Sequence, residues 1–191
     1  MARTKEFDRG EVLDRAMRMF WAHGYAATTT DDLLGAMGIS RQSLYDTFGD
    51  KQSLYLEALR LYHHDKAQPS EGPVKGKTAL ESIRRSLLRV VDRSVEKRSM
   101  GCMAINATVS FCGAEPVVTV LAAGTSDRAE REFANMVELG IEQGEFAPDL
   151  DAAAAGRFLY VTLQGLTVRA QAGASPTALR SAVDFALRSL D

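Results

Sequence analysis

Five side chains that can donate hydrogen bonds stand close together after the tripeptide Gly38-Ile39-Ser40. The same stretch holds two apolar residues, Leu44 and Phe48, which are four positions apart. On a helix this spacing places the apolar pair on one side and leaves the polar side chains on the other. Such donors suit phosphate oxygens and the edges of nucleic-acid bases. The polar set consists of Arg41, Gln42, Ser43, Tyr45 and Thr47.

A second short helical pattern lies directly before this stretch. Thr29 or Thr30 caps it, and Gly38 ends it. Ser40 then caps the next helix, which is predicted over residues 41–48. Two helices joined by a Gly-containing turn of this length are typical of a helix-turn-helix, whose second helix enters the major groove of DNA.

No pattern in the sequence predicts catalysis or a metal site. His63 and His64 are adjacent, and neighbours on a helix point about 100° apart, whereas helical metal ligands are usually three or four residues apart. Gly76-Lys77-Thr78 is similar to the end of a phosphate loop, but the first glycine of that motif should be at position 71, and Gly72 is one residue too late. No strand is predicted before these residues either. We therefore expect no metal, no cofactor and no enzymatic activity.

The composition limits where the protein acts and how it would bind a polyanion. The 191 residues include 23 Lys or Arg and 25 Asp or Glu, so binding of nucleic acid would depend on local placement of charge. The charged N-terminus is unlike a signal peptide, and the longest uncharged run, residues 99–114, is shorter than the ~18 residues that a membrane span needs. With only two cysteines, these features predict a cytoplasmic protein without a membrane partner.

Helical periodicity dominates the chain, and no stretch alternates with a period of two for long enough to be a strand. We predict an all-α fold of about nine helices. Between Ala67 and Thr78, two Pro and two Gly interrupt the apolar pattern and mark a connector between two modules. Before the first helix, Arg3 and Lys5 form either an arm that reaches DNA or a solvated terminus.

The residues around the two short helices also resemble a known family. The run GYAATTTDDLLGAMGISRQSLYDTFGDKQSLYLEAL is similar to the DNA-binding domain of TetR-type (tetracycline-repressor-like) transcriptional regulators, and the similarity extends from about Asp8 to Leu61. The resemblance implies an N-terminal helix-turn-helix DNA-binding domain, assigned to residues 1–50. It also implies a larger helical ligand-binding and dimerisation domain, assigned to residues 51–191.

The resemblance carries over to individual positions of the N-terminal module. It implies that three residues hold DNA phosphates, namely Thr30, Tyr45 and Lys51. It also implies that four residues face the groove, namely Arg41, Gln42, Ser43 and Thr47.

Two carboxylates depart from the family pattern. Asp31 stands where some relatives have a basic residue that reads bases, and Asp46 lies on the predicted recognition helix. A carboxylate there repels phosphate unless it accepts a hydrogen bond from a cytosine amino group. Residues 1–51 contain seven Lys or Arg and eight Asp or Glu, so the module has no excess of positive charge.

Polar residues interrupt the apolar stripes that follow the connector. Buried polar groups need partners, so these residues either satisfy one another or line a cavity for a small molecule. The candidate pocket residues are Cys102, Asn106, Ser110, Tyr160, Gln164 and Thr167.

Cys102 has a second possible role. It is expected to open a helix that runs through Cys112, where the helix dipole and the preceding Lys97 and Arg98 favour the thiolate. Ten residues of helix would put Cys112 ~15 Å away, which is too far for a disulfide. The alternatives for Cys102 are a reactive thiol and a small buried core residue.

The last two predicted helices, within residues 151–172 and 176–190, are alanine-rich and carry few charges. Two such helices from each of two subunits would form a four-helix bundle; alternatively, they only cover their own core. The predicted function is a ligand-released transcriptional repressor that binds a palindromic DNA operator as a homodimer and responds to a small-molecule effector. The alternative is a helical small-molecule-binding protein without regulatory DNA binding.

Overall fold

The computed structural model describes residues 7–66, 76–111 and 113–190, and these residues form helices and connecting turns without a strand. The prediction of an all-α fold is confirmed. Arg3, Lys5, Cys112 and the first nine residues of the connector lie outside the described residues. The α-helices are α1 (Arg9–His23), α2 (Thr30–Met37), α3 (Arg41–Phe48), α4 (Lys51–Lys66), α5 (Ala79–Leu88), α6 (Val95–Met100), α7 (Met103–Phe111), α8 (Pro116–Glu142), α9 (Ala152–Gln171) and α10 (Pro176–Leu187). A short 3₁₀ helix, Arg188–Leu190, follows α10.

The helices belong to two compact units. The first unit contains the described residues within 1–68 together with 103–121, and the second contains those within 69–102 and 122–191. Helix α7 therefore belongs to the first unit, although it follows the connector in sequence. The division into domains 1–50 and 51–191 stays a prediction.

In the first unit, α1 packs against α2 and α4, and α3 packs against α4. The apolar stripe of α1 explains this arrangement, since Val12, Ala16 and Phe20 are spaced four apart and are all buried. Leu33 of α2 and Leu44 of α3 are also fully buried. This core holds the two short helices of the predicted helix-turn-helix in place.

The second unit is built around a continuous apolar core from α5, α8, α9 and α10. Its helices approach closely where side chains are small. A Cβ atom added to Gly156 of α9 would lie 2.6 Å from the carbonyl oxygen of Glu130 and 2.9 Å from the amide nitrogen of Ala134, both on α8. Glycine is therefore needed at this crossing of α8 and α9.

Glu145 binds the N-terminus of α5 from a distant part of the second unit. Its carboxylate accepts hydrogen bonds from the backbone N–H groups of Ala79 and Leu80, each at 3.0 Å. These are groups that an α-helix leaves without an internal partner. Hydrogen bonding from Leu80 is the main cause of a pKa of Glu145 below its ordinary value.

Stability should fall in acid because four carboxylates at helix N-termini share this behaviour. Hydrogen bonds are the main cause of the lowered pKa at each one: Asp32, Asp50, Glu81 and Glu145. A carboxyl group whose pKa is lower in the folded than in the unfolded chain stabilises the fold above the unfolded pKa of about 4. That contribution is lost as the pH falls through the folded pKa.

We expect urea unfolding to show a decreasing free energy of unfolding below about pH 5. Glu145→Gln should lower that free energy at neutral pH by no more than about 1 kcal/mol, because solvent still screens this half-buried carboxylate. The variant should also show a weaker pH dependence than the wild type. An identical pH profile for both proteins would exclude the role given to Glu145.

Candidate nucleic-acid interface

The short helices α2 and α3 are joined by a three-residue turn, as the sequence predicted. Thr29, rather than Thr30, is the N-cap of α2, and it forms a reciprocal capping box with Asp32. Gly38 ends α2 in the left-handed conformation, with φ at 69° and its N–H donated to the carbonyl of Leu34. The side chain of Ser40 caps α3. These local hydrogen bonds set the geometry of a helix-turn-helix.

Helix α3 has three sides that differ in burial. Leu44 and Phe48 are buried in the first unit, whereas Ser43 and Thr47 are half-buried beside them. The hydroxyl groups of Ser43 and Ser40 are hydrogen-bonded to each other at 2.9 Å. The exposed side, which we call the reading face, consists of Arg41, Gln42, Tyr45 and Asp46.

Two carboxylates hold side chains of the reading face. Arg41 donates from Nη2 to Oδ1 of Asp31 on α2 at 2.5 Å. Gln42 donates from Nε2 to Oδ1 of Asp46, one turn further along α3, at 2.8 Å. The second contact has a local signal, since a Gln–Asp pair at i and i+4 is a known helical pair. The first contact links two helices and has no signal in the sequence.

The three predicted phosphate-binding residues lie on three different helices of the first unit. Thr30 is the first residue of α2 and is half-buried. Tyr45 is 44% exposed on α3. Lys51 is the first residue of α4, and its ammonium group lies 4.4 Å from the ring centroid of Tyr25. The ring restricts the lysine side chain and leaves its ammonium group able to bind an anion.

An aromatic cluster beneath Lys51 was not predicted from the sequence. It consists of Phe20, Tyr25, Tyr55 and Phe111, with ring centroids 5.0 Å apart for Tyr25 and Tyr55 and 5.2 Å apart for Tyr25 and Phe111. Burial raises the pKa of Tyr55 to about 12, so its hydroxyl stays protonated at physiological pH. The cluster joins α7 to α1 and α4 of the first unit.

The candidate pocket residues fall into separate groups. Tyr160, Gln164 and Thr167 share one side of α9 in the second unit. The first two are half-buried, and the buried Thr167 donates its hydroxyl to the carbonyl of Leu163 at 2.8 Å. On α7 in the first unit, Asn106 is half-buried and Ser110 is exposed. A pocket formed by these residues stays a prediction.

Cys102 precedes α7 instead of opening it, since the helix begins at Met103. The residue is half-buried, and it forms no disulfide. Both alternatives for this thiol, a reactive group and a packing residue, stay open.

The last two helices expose apolar side chains on the sides that face away from their own core. Leu179 and Val183 of α10 are buried, whereas Phe185 is 71% exposed. On α9, three exposed large apolar residues and Gly165 follow the three- and four-residue spacing of one helix side. We call these exposed residues of the two neighbouring helices the apolar stripe: Phe158, Val161, Gly165 and Val168 of α9 and Phe185 of α10.

Within the described residues, no three His, Cys, Asp or Glu side chains are grouped so that they could hold a metal ion. No helix in the same ranges is long and apolar enough to cross a membrane.

Comparison with known proteins identifies relatives along nearly the full length of the chain. The chain is 34% identical over 196 residues to the uncharacterized HTH-type transcriptional regulator YezE of Bacillus subtilis (strain 168), and the match covers 100% of both proteins. It is 28% identical over 189 residues to the HTH-type transcriptional repressor ComR of Escherichia coli (strain K12), with 97% of this chain and 90% of ComR covered.

Among solved structures, the chain is similar to a cysteine mutant of the TetR family transcriptional regulator CifR, complexed with 26-base-pair double-strand operator DNA. The TM-score is 0.76 at 29% identity, and the match covers 100% of both chains.

Two family models match successive parts of the sequence. Residues 12–58 match the bacterial regulatory proteins of the tetR family, and residues 76–186 match the tetracyclin repressor-like C-terminal domain. Proteins of this family regulate transcription and are not enzymes. The helix-turn-helix, the two family matches and the full-length relatives together show that the chain belongs to the TetR family of bacterial regulatory proteins.

Proposed function

We propose that this protein is a cytoplasmic repressor that binds a palindromic operator as a homodimer and leaves it when a small molecule binds. The observation that carries the proposal is the reading face. It presents a guanidinium, an amide and a phenol from a helix whose opposite side is buried in a capped helix-turn-helix. These groups are the donors that recognise base edges and phosphates.

The relatives support operator binding. ComR is named as a transcriptional repressor, and the CifR mutant is complexed with operator DNA. In a two-fold dimer, each subunit would present one α3 helix to one half of a palindrome. The half-sites would then be about 34–36 Å apart, or a multiple of that distance.

The apolar stripe supports the homodimer. An apolar surface of this kind is unfavourable in water unless it is covered, and a second copy of the stripe would complete a four-helix bundle. The effector would bind in the second unit, where the polar groups of Tyr160 and Gln164 are candidates for recognising it. The dimer would have two conformations, one that fits the operator and one that fits it poorly. DNA is released if the effector binds the second conformation more tightly than the first.

Sequencing of genomic fragments retained by the purified protein tests the proposal. We expect a recurrent palindrome in the retained fragments, and fewer such fragments when the effector is present. Retention of no preferred sequence would contradict the proposal and favour a small-molecule-binding protein without regulatory DNA binding.

Lys51→Ala should weaken binding to any DNA duplex and should also reduce its dependence on salt. If the ammonium group neutralises one phosphate per subunit, the slope of log K against log salt should become less steep by about 1 for each subunit. Tyr45→Phe is the matched control, because it removes a neutral donor and should weaken binding without a change in slope. Fluorescence anisotropy over a series of salt concentrations measures both effects. An unchanged slope in Lys51→Ala would exclude the phosphate contact.

A further inference from the structure

We propose that Asp31 and Asp46 are positioning residues that fix the directions of the Arg41 and Gln42 side chains. By doing so they raise the sequence selectivity of DNA binding and lower affinity for DNA of any sequence. The inference rests on the proposed DNA-binding function, and it assigns a role to the two carboxylates that depart from the family pattern.

The contact between Asp31 and Arg41 is suited to orientation rather than to stability. Both side chains are exposed, at 80% for Asp31 and 54% for Arg41, and exposed ion pairs contribute little to folding. Arg41 is the first residue of α3, and the N-terminal residues of a recognition helix contact base edges. A guanidinium has five donor hydrogens, so the bond from Nη2 to Asp31 leaves others free for the O6 and N7 atoms of guanine.

Asp46 fixes which way the amide of Gln42 points. A carboxylate accepts hydrogen bonds only, so the nitrogen of the amide must face Asp46 and the oxygen must face away. The nitrogen keeps a second hydrogen, which together with the oxygen forms the pair that recognises N7 and N6 of adenine. Without Asp46 the amide can rotate and present its donor and acceptor in the reverse order.

The same carboxylates disfavour binding that does not depend on sequence. Such binding is mainly electrostatic, and a carboxylate on the reading face, such as Asp46, or next to it, such as Asp31, repels the phosphates of any duplex. DNA of the recognised sequence offsets this repulsion by its hydrogen bonds to Arg41 and Gln42. These side chains are already oriented, so they lose less conformational freedom on binding. DNA of any other sequence is repelled in the same way but does not form these hydrogen bonds.

The experiment compares the full-length wild-type protein with Asp31→Ala and Asp46→Ala. Each protein is incubated with a library of random DNA duplexes, and the bound duplexes are sequenced. Affinities are then measured for the duplex that the wild type enriches and for a shuffled duplex of the same composition, at one salt concentration.

We expect each substitution to tighten binding to the shuffled duplex by about two- to fivefold. The ratio of the two affinities should fall by about tenfold or more, since one base contact is no longer oriented. Base preference should relax at one position for Asp31→Ala and at a different position for Asp46→Ala.

Two further variants separate positioning from a general effect of charge. Asp14→Ala removes a carboxylate that binds Arg18 on α1 at 2.7 Å, and it should leave the affinity ratio unchanged. In an Arg41→Ala background, adding Asp31→Ala should not reduce selectivity further, because Asp31 acts through Arg41. A further reduction there would overturn the role of Asp31.

The inference would be overturned if Asp31→Ala and Asp46→Ala both kept the wild-type ratio of affinities for the enriched and shuffled duplexes and the wild-type base preferences. The proposed function would then still stand. Failure of the wild type to enrich any sequence would overturn the proposed function and this inference together.

Discussion

A Phe185→Glu variant should fail to form the proposed homodimer at concentrations at which we expect the wild-type protein to be dimeric. Phe185 is 71% exposed in the single chain and lies on the apolar stripe. In a two-fold dimer the substitution would place two carboxylates in an apolar interface without partners. Because an unpaired buried charge costs several kcal/mol, we expect the dissociation constant of the dimer to rise by at least about 100-fold.

Sedimentation velocity over a range of protein concentrations measures this effect. The matched control is Val95→Glu on α6, which adds the same charge at a position that is 73% exposed and outside the apolar stripe. That variant should remain dimeric. Both variants should retain the helical signal of the wild type in circular dichroism. Wild-type sedimentation of Phe185→Glu would show that α10 does not form the interface.

Gly156→Ala should destabilise the second unit, whereas Gly124→Ala should stabilise it slightly. Both glycines lie inside long helices, where alanine is intrinsically favoured by about 1 kcal/mol. At Gly156, however, the new Cβ would lie 2.6 Å from a backbone oxygen of α8, so the two helices must separate. We expect a net loss of about 1–3 kcal/mol in the free energy of unfolding. At Gly124 no atom lies within 4 Å of the added Cβ.

Urea unfolding at a fixed protein concentration compares the two variants with the wild type. We expect Gly156→Ala to lower the free energy of unfolding and Gly124→Ala to raise it. Equal stabilisation in both variants would show that α8 and α9 can separate at this crossing at little energetic cost.

The features that the sequence predicted are those with local causes. Ser40 was expected to cap a helix, and its side chain accepts a backbone hydrogen bond at the start of α3. Asp8 and Asp151 cap α1 and α9 in the same way. Ser175-Pro176 likewise begins α10. A cap and the helix that it starts lie within a few residues, so residue type and spacing are sufficient. Helix α6 has a capping side chain, Ser94, but it has only six residues and none of them is buried, so no apolar pattern predicted it.

The contacts that the sequence did not predict join residues that are distant along the chain. Glu145 reaches the N-terminus of α5 across 65 residues, and Arg41 reaches Asp31 on another helix. Phe111 meets Tyr25 only because α7 returns to the first unit. Helical periodicity shows which side of a helix is apolar, but it does not show which other helix covers that side. Residue type and spacing therefore predicted that Arg41, Gln42 and Tyr45 lie away from the apolar pair, but they grouped the half-buried Ser43 and Thr47 with them. The partners that hold Arg41 and Lys51 were not predicted.

A chimeric regulator that takes its DNA specificity from this chain would need to inherit α7 as well as the N-terminal helices. A junction placed in the connector would leave Phe111 behind and replace it with a residue from the other parent. Tyr25 and Tyr55 would then lose an aromatic neighbour directly beneath Lys51. We therefore expect a chimera joined at the connector to bind DNA less well than one that also carries α7 of this chain. The unit of exchange is discontinuous in sequence: within the described residues it consists of 7–66, 103–111 and 113–121, and we expect recombination to preserve DNA binding only when these are transferred together.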